Sequence, residues 1–180
     1  MHIKKVRIRA VAVPRIYDTR VADAGGHAQA KTQSLYYVLE LISNTGATGL
    51  GEISDIESSW NVPTPHALCI LLSSLKGSDP LRHQDAWEAA TAALPEALHP
   101  ELRSLLSAAV DTALLDLVGQ HYNAPLHVLL GGTHRTRIQV SWVAFIRTVE
   151  EIEEEISSKV AEGFTAFKLK VGDEPNIDIE

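Results

Sequence analysis

The sequence predicts an α+β domain followed by a β-α-β unit. Two observations support this fold class. Three strand-like segments are followed by three helix-like segments, an order typical of α+β domains. After residue 132 the pattern changes to strand, helix and strand within about 35 residues, and two strands joined in this way are parallel. We therefore expect two domains, comprising residues 1–132 and residues 133–180.

Composition narrows the class of protein. The chain has 180 residues, of which 45% are hydrophobic, so it carries enough apolar side chains to form a core. With 23 acidic and 16 basic residues its formal charge is −7, which argues against a nucleic-acid partner. Cys69 is the single cysteine, which excludes a disulfide within the chain. The charged N-terminus and the lack of a bilayer-length apolar segment predict a soluble cytoplasmic protein without a membrane partner.

The predicted α+β domain begins with three strands. Residues 6–12 alternate between apolar and other side chains, as a half-buried strand does, and Pro14 is expected to end that strand. Residues 35–42 and 48–53 predict the next two strands, joined by a tight turn in which Gly46 supplies a positive φ angle. Together the three segments predict an antiparallel meander.

Two long polar segments, residues 15–33 and 54–65, interrupt the predicted meander. Loops of this length within a compact domain are lids, binding loops or disordered segments. From the residues alone, a binding role and a plain surface role both remain open. His27, which follows two glycines in the first segment, is the histidine that we select as a candidate substrate contact.

Three helices are predicted across residues 67–75, 81–94 and 101–121, where apolar side chains recur every three or four positions. The third helix has the broadest apolar stripe, and Trp87 is expected to anchor the second. A bend is expected at the two glycines of residues 131–132. The apolar stripe of the first helix is expected to comprise Ala67, Ile70, Leu71 and Leu75.

The β-α-β unit is delimited by local signals. Strands are predicted at residues 138–146 and 165–171, and the helix between them is expected to end at Gly163. Thr148 and Glu151 form a capping box, in which the Thr148 hydroxyl accepts from the third helical N–H and Glu151 bonds back. These signals define both ends of the helix.

Lys168 and Lys170 are the most informative pair of side chains in the sequence. Residues two apart in a strand share a face, and Gly172 places this pair at the carboxyl end of its strand, where ligand groups collect in parallel sheets. Over the spacing of about 6.5 Å, two ammonium groups repel by about 2.5 kcal/mol at an effective dielectric constant of about 20. In an enclosed site one lysine would therefore be neutral often enough to act as a base, whereas on an exposed strand both would be solvated charges.

For the other titratable side chains, the sequence predicts structural rather than catalytic roles. Asp111 and Asp116 lie five residues apart on one helix and do not share a face. A pair of metal-binding histidines on a helix requires a spacing of three or four residues, and no two histidines have this spacing. Cys69 lies within an apolar helical pattern. The acidic residues that start the last helix are expected to face solvent; they are Glu150, Glu151, Glu153, Glu154 and Glu155.

Three stretches of the sequence carry a family resemblance. They are Gly49-Leu50-Gly51-Glu52, residues 109–117 continuing through residues 125–132, and Phe167-Lys168-Leu169-Lys170-Val171-Gly172. Their order and spacing resemble the N-terminal portion of the mandelate racemase and muconate lactonizing enzyme family of the enolase superfamily. The match extends over nearly the whole chain, and the middle stretch is its most specific part.

The resemblance implies an α+β capping domain followed by the first β-α-β unit of a (β/α)7β TIM-like barrel. It also implies removal of the proton α to a substrate carboxylate, with Mg2+ stabilising the enediolate. By position, Lys170 would be the acid/base at the α-carbon, while Lys168 would stabilise negative charge and favour the neutral form of Lys170. The capping loops, residues 17–29 and 54–62, would choose a small carboxylate substrate through Tyr17, Arg20, His27, Asp55 and Trp60.

The resemblance also has consequences for the rest of the protein. Because the family's metal-binding carboxylates lie on later barrel strands, the Mg2+ ligands are expected beyond residue 180, and these residues alone are expected to be inactive. The full-length protein would be a homo-oligomeric racemase, epimerase, dehydratase or cycloisomerase, and its polar loops favour an acid-sugar-type substrate. The alternative is a non-catalytic module that binds a partner through its two long polar loops.

Overall fold

The computed structural model describes residues 1–22, 28–172 and 176. The chain begins with a three-stranded sheet in the order β1-β2-β3, built from Ile3–Ala22, Ala28–Ser43 and Thr48–Ile53. Strands β2 and β3 are antiparallel, with Tyr37 opposite Ile53. The hairpin predicted for these two segments is confirmed.

Strand β1 is longer than the sequence predicts. The expected end at Pro14 is wrong, because β1 continues to Ala22, and most of the segment predicted as a loop (residues 15–33) belongs to β1 or β2. Strand β1 lies at the edge of the sheet, where proline is tolerated because one side of the strand has no neighbour that needs its missing N–H. The polar residues 15–22 and 28–33 therefore lie in strands rather than in a loop.

Five helices follow among the described residues. They are α1 (Pro65–Leu71), α2 (His83–Ala92), α3 (Pro100–Tyr122), α4 (Leu126–Leu129) and α5 (Val149–Ala161). Single 3-10 turns occur at Ser58–Trp60 and Leu72–Leu75. Helix α3 ends at Asn123, which adopts a left-handed conformation with φ of 49°.

The buried face of helix α1 differs from the predicted stripe. Of the predicted residues, Leu75 is buried and Leu71 packs against the core, but Ile70 is 59% exposed. Leu68 and Leu72, which the predicted stripe omits, are buried. The α-helix ends at Leu71 and continues as a 3-10 turn, in which residues three apart share a face, so Leu72 and Leu75 are buried together. The predicted stripe is therefore correct at Leu71 and Leu75 and wrong at Ile70.

The core lies between the sheet and helix α3. The predicted stripe of α3 is confirmed, with Leu106, Val110 and Leu114 fully buried. A Cβ atom at Gly49 would lie 2.0 Å from the carbonyl oxygen of Ala113, and one at Gly51 would lie 2.0 Å from that of Ala109. The backbone of β3 thus packs directly on the backbone of α3, which is possible only where the strand has no side chain.

The β-α-β unit forms as predicted, with shorter strands. Strands β4 (Trp142–Ala144) and β5 (Phe167–Leu169) are parallel, and α5 lies between them in the chain. The capping box of Thr148 and Glu151 is present with both hydrogen bonds. No helix in the described parts of the chain is long and apolar enough to cross a membrane.

The chain divides into two compact units. The first unit comprises Met1–Val13 and Ser34–Thr133, and the second comprises Pro14–Gln33 and His134–Glu180. The C-terminal part of β1 and the N-terminal part of β2 therefore belong to the same unit as the β-α-β segment. The division into two domains at residue 132 remains a prediction.

Candidate active site

The lysine pair lies at the carboxyl end of strand β5. Lys168 is opposite Val143 in the parallel ladder, and the backbone N–H of Lys170 donates to the carbonyl oxygen of Ala144 at 2.9 Å. The ladder thus continues to Lys170, and because alternate residues of a strand share a face, the two lysines point to the same side. Lys168 is exposed and Lys170 is half-buried.

Helix α5 covers the opposite face of this two-stranded sheet. Trp142 is opposite Phe167 in the ladder, so these two residues share the face that excludes the lysines. The indole Nε1 of Trp142 donates to Glu155 of α5 at 3.0 Å, and the Lys159 ammonium of α5 lies 4.2 Å from the indole centroid. The lysine face is therefore turned away from α5.

Glu155 does not face solvent, contrary to the sequence-based expectation for the acidic run. Its side chain is 11% exposed, and its second carboxylate oxygen lies 3.7 Å from the Arg147 guanidinium. Glu155 is three residues after the half-buried Ile152, so helical geometry places both on the side of α5 that meets the sheet. The other members of the run are exposed, as expected; they are Glu150, Glu151, Glu153 and Glu154.

Strand β1 contacts the end of β4 where the lysines lie. The carbonyl oxygen of Arg20 accepts from the backbone N–H of Ile146 at 3.4 Å. Ile146 is two residues beyond Ala144, the β4 residue beside Lys170. Within the second compact unit, the structure thus brings the backbone of Arg20 to the same end of the sheet as the lysine pair.

Two predicted substrate contacts fall where no side chain is described. His27 lies outside the described residues, and Tyr17 is described as part of β1 without its side chain. Sequence reasoning also missed Arg147, which follows Ile146 at the same sheet end and has a side chain 26% exposed. A basic residue directly after the first strand of a β-α-β unit was the available signal.

Asp55 and Trp60 belong to the first compact unit. Asp55 is half-buried and has a positive φ of 43°. The Trp60 ring stacks on His99, with centroids 5.2 Å apart and planes 12° apart, and the same side chain packs against the core. Trp60 therefore has packing partners within its own unit.

The described residues do not form a metal centre. No group of three or more His, Cys, Asp or Glu side chains in residues 1–22, 28–172 and 176 is placed to hold a metal ion. The expected structural roles of the two aspartates of α3 are confirmed. Asp111 Oδ1 lies 2.7 Å from His83 Nε2, and Asp116 accepts a hydrogen bond from the Leu50 backbone.

Comparison with known proteins identifies relatives of the chain. The family model for the mandelate racemase / muconate lactonizing enzyme N-terminal domain matches residues 8–131. An L-Ala-D/L-Glu epimerase of Clostridium acetobutylicum is 41% identical over 73 residues, which are 41% of this chain and 20% of the epimerase. A cis-3-hydroxy-L-proline dehydratase of Roseibium aggregatum is 31% identical over 146 residues, which are 79% of this chain and 38% of the dehydratase.

Solved structures show the same fold. The dipeptide epimerase from Methylococcus capsulatus, complexed with Mg and the dipeptide L-Arg-D-Lys, matches with a TM-score of 0.76 and 26% identity. The match covers 99% of this chain and 48% of the epimerase chain. The chain thus spans less than half the length of each of these three relatives.

Proposed function

The chain belongs to the mandelate racemase / muconate lactonizing enzyme family, and from this premise we propose that it is the N-terminal part of an enzyme that removes the proton α to a substrate carboxylate. The observation that carries the proposal is the placement of Lys168 and Lys170 on one face at the carboxyl end of β5. Relatives named as an epimerase and a dehydratase support a reaction that begins with this proton transfer.

In the proposed reaction Lys170 is the base. Its neutral amine takes the proton from the α-carbon and becomes an ammonium, leaving an enediolate. The Lys168 ammonium, on the same face, stabilises the negative charge that develops on the carboxylate. Lys170 is half-buried whereas Lys168 is exposed, so Lys170 is the more enclosed of the two amines.

Mg2+ is part of the proposal because the Methylococcus capsulatus relative is complexed with it. When bound, the metal would supply further stabilisation of the enediolate. The described residues do not fit a metal centre, so no step is assigned through the metal. The ligands are proposed to come from residues outside this sequence.

The two-domain division and the substrate contacts belong to the same proposal. Residues 1–132 would form the capping domain and residues 133–180 the start of the barrel, with a homo-oligomer as the assembled enzyme. Arg20, whose backbone lies at the lysine end of the sheet, is the best supported of the predicted substrate contacts. Tyr17, His27, Asp55 and Trp60 complete the proposed set, and the polar character of their segments favours a hydroxylated acid.

The decisive test is exchange of the α-proton with solvent. The full-length protein, incubated in D2O with a panel of acid sugars, hydroxyprolines and dipeptides, should exchange the α-proton of at least one compound, measured by NMR. Lys170→Ala should abolish that exchange, because no other described side chain is assigned as the base. Lys5→Ala, at an exposed position of β1, is the matched control and should leave the rate unchanged.

Two outcomes would contradict the proposal. Retained exchange in the Lys170→Ala variant would exclude Lys170 as the base. Absence of exchange across the whole panel, together with binding of a macromolecular partner, would favour the alternative of a non-catalytic binding module.

A further inference from the structure

A groove between helices α2 and α3 is separate from the lysine pair and has a volume of about 850 Å³. It lies entirely within the first compact unit. A cavity of several hundred Å³ is in the size range of sites that bind small molecules. The charged and polar side chains that line the groove therefore determine which class of ligand it could bind.

The side chain of Arg103 provides a positive charge at one end of the groove. Arg103 is half-buried, and among the residues that the structure describes its guanidinium has no hydrogen-bond or ion-pair partner. A guanidinium that is partly removed from water and unpaired is suited to bind a carboxylate through two parallel hydrogen bonds.

Asp111 provides a negative charge further along the same face of α3. Arg103, Ser107 and Asp111 are spaced by four residues, so they line one face of the helix. Arg103 and Asp111 are eight residues apart, which corresponds to about 12 Å along the helix axis. Asp111 contacts His83 through Oδ1, and its other oxygen is available to a ligand cation.

The middle of the groove carries an aromatic side chain. Trp87 lines it, and the indole Nε1 donates to the Ser107 carbonyl oxygen at 3.1 Å, which orients the ring. On the same helix as Trp87, the Glu88 carboxylate accepts from Gln84 at 2.7 Å, so one of its oxygens is already paired. The aromatic surface between the two charged ends is thus suited to an apolar side chain.

We propose that this groove binds a short zwitterionic peptide, with its carboxylate on Arg103, its amino group on Asp111 and an apolar side chain on Trp87. A chain of three residues spans about 10 Å when extended, which fits the separation of the two charged ends. An anion without an amino group would be repelled by Glu88 and Asp111. The ligand class therefore follows from the two opposite charges together.

The test is a calorimetric titration of the full protein with the tripeptide Ala-Phe-Ala and its two capped forms. Amidation of the C-terminus and acetylation of the N-terminus should each weaken binding about tenfold, because each removes one charged contact. In the Arg103→Gln variant, the amidated and free-acid peptides should bind equally. The control Arg82→Gln, at an exposed arginine paired with Asp85 outside the groove, should retain the discrimination.

The capped peptides test the groove without altering the protein, so misfolding of a variant cannot imitate the expected result. Lack of binding by Ala-Phe-Ala, or binding that is insensitive to both caps, overturns the proposal. Unchanged discrimination in Arg103→Gln also overturns it. Lys170 does not line the groove, so the Lys170→Ala variant should bind Ala-Phe-Ala as tightly as the parent protein. Peptide binding therefore tests the groove independently of the proposed catalytic role of Lys170.

Discussion

Asp116 of helix α3 accepts a hydrogen bond from the backbone N–H of Leu50 at 2.9 Å. Leu50 lies on β3, an edge strand whose outer N–H and C=O groups have no neighbouring strand. One turn further along α3, Gln120 donates from Nε2 to the Thr48 carbonyl oxygen at 2.8 Å. Two side chains of one helix thus satisfy backbone groups at the open edge of the sheet.

Asp116→Ala should lower the free energy of unfolding by about 1 kcal/mol, because the Leu50 N–H would lose its partner at a solvent-accessible site. Asp116→Asn keeps a carbonyl oxygen in the same place and should cost less. Urea denaturation of the two variants and the parent measures the difference. Equal losses in both variants would show that the Leu50 hydrogen bond is not the cause.

Gly51→Ala should be strongly destabilising, by about 3 kcal/mol or more, because the added methyl group would overlap the Ala109 carbonyl oxygen and force β3 and α3 apart. The matched control is Gly119→Ala, whose added Cβ would lie 3.2 Å from the nearest atom, the Ala124 carbonyl oxygen. There the gain in helix propensity, about 1 kcal/mol, offsets the close contact. Thermal unfolding that ranks the two variants equally would contradict the close packing of β3 on α3.

Leu68→Ala should cost about 2–5 kcal/mol, since its side chain is fully buried in the core. Ile70→Ala, two residues away on the exposed side of the same helix, should change stability by no more than about 0.5 kcal/mol. Chemical denaturation of the pair tests which face of α1 is buried. The reverse order would contradict the burial of Leu68 and the exposure of Ile70.

Glu155→Ala should destabilise the β-α-β unit by about 1–3 kcal/mol, because the Trp142 Nε1–H would lose its acceptor. Glu155→Gln retains an acceptor oxygen and should lose less stability. Hydrogen exchange of the backbone amides of β4 and β5 provides the local readout, and protection should fall most in the alanine variant. If protection were unchanged in both, Glu155 would not be what holds β4 against α5.

Local signals predicted the β-α-β unit well. The capping box of Thr148 and Glu151 depends on groups within one helical turn, and it formed as expected. The broad stripe of α3 was equally clear because one regular helix keeps a constant period throughout. The burial of Leu72 could not be predicted in the same way, since the change to a 3-10 turn at this residue is not visible in the apolar pattern.

In the candidate site, too, the features that depend on nearby residues were predicted and those that depend on distant residues were not. The shared face of Lys168 and Lys170 follows from strand periodicity, which operates between residues two apart. The contact between Arg20 and Ile146 joins residues far apart in the chain, and nothing in the intervening sequence indicates it. Arg147, in contrast, directly follows the predicted first strand of the β-α-β unit, so the sequence did carry a signal for its position.

By itself, the sequence determined the types of most elements, the order of the β-α-β unit and the common side of the two lysines. These are consequences of side-chain period and of hydrogen bonds within a few residues. Only the tertiary structure decided how far β1 extends, how closely Gly49 and Gly51 approach α3, and that Arg20 meets Ile146. Those features depend on which distant surfaces meet, and packing between distant segments leaves no regular spacing in the sequence.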